Sequence, residues 1–192
     1  MSTILVDYEN VSMTDGLKGV EYLNENDTLI IFYSQCCDKI RAEYIDMIEN
    51  SGCEFKTYKL VRAGKNALDF YIAVECGTLS KGGEKQISII SKDKGFGAIS
   101  DYFDINSELE KVTVHVASNV ENALMASNAE SDIERKKVIK DKSRMLNIEA
   151  EQVRIKENRK LAEKQEQKHQ NHYIVDSCMK VVVRMIGKVV RG

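Results

Sequence analysis

Five short β-prone runs recur along the first 116 residues: Thr3 to Val6, Thr28 to Tyr33, Glu54 to Leu60, Gln86 to Ser91 and Val112 to Val116. Helical stretches alternate with them, at Asp15 to Asn24, Asp38 to Ser51, Asn66 to Ser80 and Gly95 to Phe103. Within these, apolar residues recur at intervals of three and four, as Ile40, Tyr44, Met47 and Ile48 do, and as Leu68, Ile72 and Leu79 do. That spacing puts them on one face of a helix. The strands, by contrast, are nearly continuous apolar runs such as Leu29-Ile30-Ile31-Phe32. A strand of that kind has no side to show to water, so it belongs inside a parallel sheet covered by helices on both faces. The expectation is an α/β fold of three layers over residues 1–120.

Beyond Asn119 the pattern changes. No strand signal remains, no proline occurs in the chain, no glycine appears until Gly187, and charge is dense from Glu130 to Lys168. A long charged helix over 121–172 is predicted, followed by a basic amphipathic tail over 173–192. Two sparse apolar rows run along the helix (Ile139, Leu146, Val153 and Ile148, Ile155, Ala162), interrupted by charges that weaken a coiled-coil seam. Gln165 to His172 is polar enough that fraying is expected. The tail puts Cys178, Val182, Met185 and Val189 on one face, with Lys180, Arg184, Lys188 and Arg191 among its other positions. Such a helix can dock on protein, on an anionic membrane surface or on nucleic acid, with protein, a second copy of the chain included, the favoured choice.

Charge divides the same way. Residues 1–129 carry 12 Lys and Arg against 20 Asp and Glu, whereas 130–192 carry 16 against 10. An acidic body suggests a cation site, and a basic tail suggests an anionic partner. No apolar run approaches the roughly 20 residues of a spanning helix. Met1 to Val6 enter an apolar run with no basic leader, so a cytoplasmic location is expected. The five cysteines are scattered without CxxC spacing and read as reduced packing residues. His115, His169 and His172 accompany no nucleophile motif, and the glycine-rich pieces match neither a Walker loop nor GxGxxG.

In an open parallel sheet, ligands bind beyond the carboxyl ends of the strands, near the point where strand order reverses. Asp7 follows the first strand directly, with Glu9 and Asn10 just after it, and Asp93 follows the fourth strand. Asp69 lies near the start of the third helix between Leu68 and Ile72, apolar neighbours that a lone carboxylate does not suit. Three carboxylates in one crevice repel one another unless a hard cation such as Mg²⁺ or Mn²⁺ sits among them. Such an ion activates water and stabilises charge on a phosphate, so phosphodiester hydrolysis is the natural chemistry. Ser91, Lys92 and Lys65 are candidates for phosphate contact.

Three segments carry a resemblance: Ile4-Leu5-Val6-Asp7-Tyr8-Glu9-Asn10-Val11, Lys65-Asn66-Ala67-Leu68-Asp69-Phe70 and Ile89-Ile90-Ser91-Lys92-Asp93-Lys94-Gly95-Phe96. In order and spacing they resemble the signature blocks of the PIN-like nucleases, the NYN branch in particular, over roughly residues 3–116. The resemblance implies a Rossmann-like sheet, dependence on Mg²⁺ or Mn²⁺ and endonucleolytic cleavage of RNA. It matches Asp7, Asp69 and Asp93 to the family's metal-binding aspartates and Asn10 to the polar residue that orders the first loop. Glu75 falls where the second block often has a further acid. Where the third block commonly has a second aspartate this chain has Gly95, and Glu9 or Asp101 are the acids that would stand in. The competing reading is a non-catalytic PIN-like module that binds RNA or protein and assembles through its helix. A dehalogenase-like phosphatase is disfavoured, since Asp7-Tyr8-Glu9 lacks the second aspartate it needs.

Overall fold

A computed structural model of the chain describes residues 2–106, 112–128 and 132–189, with side chains as far as Gln165 and Met179 beyond it. Five strands, β1 (Thr3–Asp7), β2 (Thr28–Tyr33), β3 (Glu54–Lys59), β4 (Gln86–Ile90) and β5 (Thr113–Ala117), form one sheet in the order β3-β2-β1-β4-β5. Every pairing is parallel, with Val6 opposite Ile31 on one side and Ile90 on the other. The helices are a single turn α1 (Tyr8–Val11), α2 (Ala42–Ser51), α3 (Ala67–Lys81), α4 (Gly97–Ile105), α5 (Val120–Ala126) and α6 (Ile133–Val189). All five predicted strands form, and the parallel three-layer arrangement is the one the apolar runs demanded.

The inner strands are buried on both faces because their side chains alternate between two cores. Ile4, Val6, Leu29 and Ile31 pack with Ile48 of α2, Val120 and Leu124 of α5 and Ile139 of α6. Leu5, Ile30, Phe32, Ile87 and Ile89 pack on the opposite face with Leu68, Ile72 and Cys76 of α3 and Phe103 of α4. Burial pushes the Cys76 thiol up to about 12, which keeps it protonated. Strand β3 forms the sheet edge and is exposed along its whole length.

Three predicted segments differ. The single helix expected over 121–172 is interrupted, α5 ending at Ala126 and α6 beginning at Ile133 and running on to Val189. Asp15 to Asn24 is a series of turns ending in a 3₁₀ turn at Val20–Tyr22, because Gly19 at φ 99° backs onto Glu121. A Cβ at Gly19 would lie 2.4 Å from the Glu121 amide nitrogen, so the loop is shaped by its contact with α5 and not by its own helical periodicity. The polar stretch from Gln165 to His172 is helical, within α6. The stretch Cys178 to Val189 is helical, within α6, and the side chains of its expected amphipathic face lie outside those described.

The chain divides into two compact units, Met1–Lys140 and Asp141–Gly192. In the second unit Leu146, Ile148, Val153 and Ile155 are exposed. Among the described residues no helix is long and apolar enough to cross a membrane. In the first unit the opening turns of α6 complete the fold. Arg135 bridges Asp27 at 2.8 Å and Asp132 at 3.2 Å, with both carboxylates fully buried and 9% of the arginine side chain exposed. Asp27 also accepts from the Ser2 and Asn24 amides at 2.9 and 3.0 Å, and Asp132 accepts from the Ser127 hydroxyl. This ionic knot closes the amino-terminal pole of the sheet, ahead of β1 and β2.

Removing the cation from a buried ion cluster leaves charges without compensation, a loss of about 3–5 kcal/mol. Arg135→Ala should therefore lower the stability read by urea unfolding by about that amount; an unmoved midpoint would mean that the knot contributes nothing.

Candidate active site

The order β3-β2-β1-β4-β5 reverses direction between β1 and β4, because the chain first builds outward to β3 and then returns across the sheet through α3. The carboxyl ends of these two strands therefore flank the crevice where an α/β sheet binds its ligands. Asp7 is the last residue of β1, and Asp93 follows β4 by three residues. The return helix α3 brings Asp69, in its first turn, to the same end of the sheet.

A cavity of about 480 Å³ opens there, and Asp7, Glu9, Asn10, Lys65, Asp69 and Asp93 are among the residues lining it. Asp7 is fully buried. Its Oδ2 accepts from Asn10 Nδ2 at 2.6 Å and from the Ser91 hydroxyl at 2.8 Å. Its Oδ1 is buried with no hydrogen-bond partner. A carboxyl oxygen withdrawn from water and left unpartnered is costly, so its presence calls for a ligand.

Ser91 joins the two strand tips. While donating to Asp7 it accepts from the Asp93 backbone amide at 3.0 Å. Asp93 caps the 3₁₀ turn Lys94–Phe96, its Oδ1 accepting from the Gly95 amide at 2.7 Å. A Cβ on Gly95 would approach that oxygen to 3.1 Å, so glycine here lets the loop close tightly around Asp93.

The Asp69 carboxyl is held above the ordinary carboxylate range, first by burial and then by repulsion from Asp7, Asp93 and Glu9. Four acids thus share one electrostatic neighbourhood. Among the described residues no group of three or more His, Cys, Asp or Glu side chains stands ready-made around a single point for a metal ion. The acids surround the cavity without converging. The fit to a divalent cation rests on the donor set, all hard carboxylate oxygens, and on the unpartnered Oδ1 of Asp7.

Other candidates fall in different places. Ser91 is buried against Asp7, and Lys92 is exposed and does not line the cavity. Glu75 lies in a separate groove with Phe70 and Val74. Six helical positions from Asp69 is a rotation of about 240°, which turns it away. Asp101 is exposed, a turn into α4, and does not line the cavity either. Sequence reasoning passed over Ser34 and Gln35 and set Cys36 aside as a packing residue, yet all three line the cavity. They directly follow β2, and the strand-tip rule that found Asp7 would have found them. Asn66, also on the wall, caps α3 in the left-handed region at φ 59°, a conformation asparagine tolerates better than most residues.

The PIN7 family model, a PIN domain, matches residues 1–108, and the chain belongs to the PIN domain family. PIN domains are typically nucleases and usually use divalent metals. No curated protein and no solved structure matches the chain.

The raised Asp69 carboxyl has a consequence for stability. Between the ordinary carboxylate range and its raised value the folded protein binds more protons than the unfolded one, so stability falls as pH rises through that window. Without added metal, Asp69→Asn should melt above the wild type at neutral pH, and the difference should shrink as pH falls through the Asp69 titration. A variant that melts lower at neutral pH, by a margin independent of pH, would contradict the repulsion.

Proposed function

We propose that this PIN domain is a metal-dependent endoribonuclease of the NYN type, in which Asp7, Asp69 and Asp93 hold Mg²⁺ or Mn²⁺. The observation that carries the reading is the buried Asp7 carboxyl, with one oxygen fixed by Asn10 and Ser91 and the other without a partner. Repulsion among Asp69, Asp7, Asp93 and Glu9 supports it, since a cation would relieve the same strain. When bound, the ion would supply Lewis-acid stabilisation of charge growing on a phosphate and make water a stronger nucleophile.

The chain's own residues do the rest. Asn10 and Ser91 orient Asp7 and so act as positioning residues. Glu9, on the cavity wall, takes the place of the acid absent at Gly95. Lys65, on the same wall, draws in the phosphate, and Lys92 can steer the strand from outside. The acidic body repels RNA at long range, so the basic residues of 130–192 are assigned to substrate capture and to assembly with a second copy or a protein partner. The cytoplasm, where RNA and Mg²⁺ meet, is the proposed location.

Gly95 favours a second reading, a PIN module that binds RNA without cutting it. The two separate in one assay. Labelled single-stranded RNA incubated with Mn²⁺ should be cut internally by the wild type, and Asp7→Asn should slow cutting by at least about 100-fold, as loss of a principal electrostatic contributor does. Equal inactivity of both proteins would favour the binding module.

A further inference from the structure

Helix α3 is apolar on two sides. Leu68, Ile72 and Cys76 point into the core, yet Phe70, Tyr71 and Val74 face outward at 68, 38 and 69% exposure. Together with Phe32, Tyr58 and Glu75 they line a groove of about 460 Å³ between α3 and the edge strand β3. Tyr58 is backed by Phe32, ring centroids 5.3 Å apart and planes tilted by 30°, and remains 41% exposed. An exposed apolar groove of this kind marks an interaction site.

Its position and composition say what fits. The groove adjoins the acidic cavity, because Phe70 follows Asp69 in α3, and Leu60 and Val61, just after β3, line the cavity wall. Its side chains are mainly aromatic rings, which offer faces to flat ligands. Along the same edge Lys56, on the Tyr58 face of β3, and Arg62 and Lys65 beyond the strand are exposed, and the last of them reaches the cavity, whereas Lys59 lies on the opposite face over the Tyr33 ring. Lys56 is held by Glu54 at 2.9 Å, an exposed pair of the sort that exchanges readily for a phosphate. A cationic track beside exposed rings is how single-stranded nucleic acid is bound without regard to sequence. Glu75, at the groove wall, keeps phosphates out of the groove and can accept from base amino groups.

We propose that Phe70, Tyr71 and Tyr58 form a base-stacking shelf for single-stranded RNA, which seats a nucleotide beside the one whose phosphate enters the acidic cavity. The choice of RNA as the polymer rests on the nuclease reading; the shelf itself does not. Because it needs an unpaired base, the shelf makes the protein a single-strand binder.

The test is fluorescence anisotropy of a labelled single-stranded RNA with the full chain in EDTA, where no cutting can occur. Phe70→Ala and Tyr58→Ala should each weaken binding about 5- to 100-fold, the loss expected for one stacked base. Phe70→Trp should retain wild-type affinity, and duplex RNA should bind the wild type and Phe70→Ala alike. Thermal melts exclude misfolding, which Phe70 is too exposed to provoke. Unchanged single-strand affinity in both alanine variants would overturn the shelf, as would a wild-type dimer in sedimentation that Phe70→Ala dissolves. If Mn²⁺-dependent cutting is seen but both alanine variants bind normally, the shelf is wrong and the nuclease stands. If ring removal costs binding but the wild type never cuts, the nuclease is wrong and the shelf stands.

Discussion

The site depends on one carboxyl group removed from water. Asp7 ends the central strand of a sheet whose neighbours on both sides are apolar, and the geometry that buries Val6 and Leu5 buries Asp7 with them. A group in that position must be satisfied from within. Asn10, one turn away, and Ser91, from the next strand tip, satisfy one of its oxygens and leave the other buried without a partner. The same hydroxyl that holds Asp7 accepts from the Asp93 amide, so a single serine links the two strand tips that the β1–β4 pairing sets side by side.

Topology divides the labour between the two ends of the sheet. At the amino-terminal pole, charges are buried in opposite-sign contact: Asp27 and Asp132 both pair with Arg135. At the carboxyl-terminal pole, charges of one sign are crowded together, and Asp69 registers the crowding as a raised carboxyl. The first arrangement holds the fold; the second stores electrostatic strain at the place where a parallel sheet receives ligands. The stretch Ser34 to Cys36 and the left-handed Asn66 add to the cavity wall without adding charge.

Much of this was legible in the sequence because burial writes itself into apolar periodicity. Continuous runs such as Leu29 to Phe32 specified inner strands of a parallel sheet, and the rule that ligands bind beyond strand ends singled out Asp7 and Asp93. The spacing of α3 brought Asp69 to them. What stayed hidden depends on contacts distant in the chain. Nothing near Gly19 announces that it must clear the Glu121 backbone, so its loop read as a helix. Arg135 and Ile139 sit in a stretch of dense charge that reads as solvent-facing, yet both belong to the first compact unit. Glu75 entered on the resemblance to the family's second block and Asp101 as a stand-in for the acid missing at Gly95, and neither lies on the cavity wall.

Calorimetric titration of Mn²⁺ into the full chain asks, without recourse to any substrate, whether a cation completes the unsatisfied Asp7 carboxyl. Saturable binding by the wild type, lost in Asp7→Asn and retained in Glu75→Gln, is the predicted result. Binding that survives Asp7→Asn, or no binding to the wild type, would contradict the account.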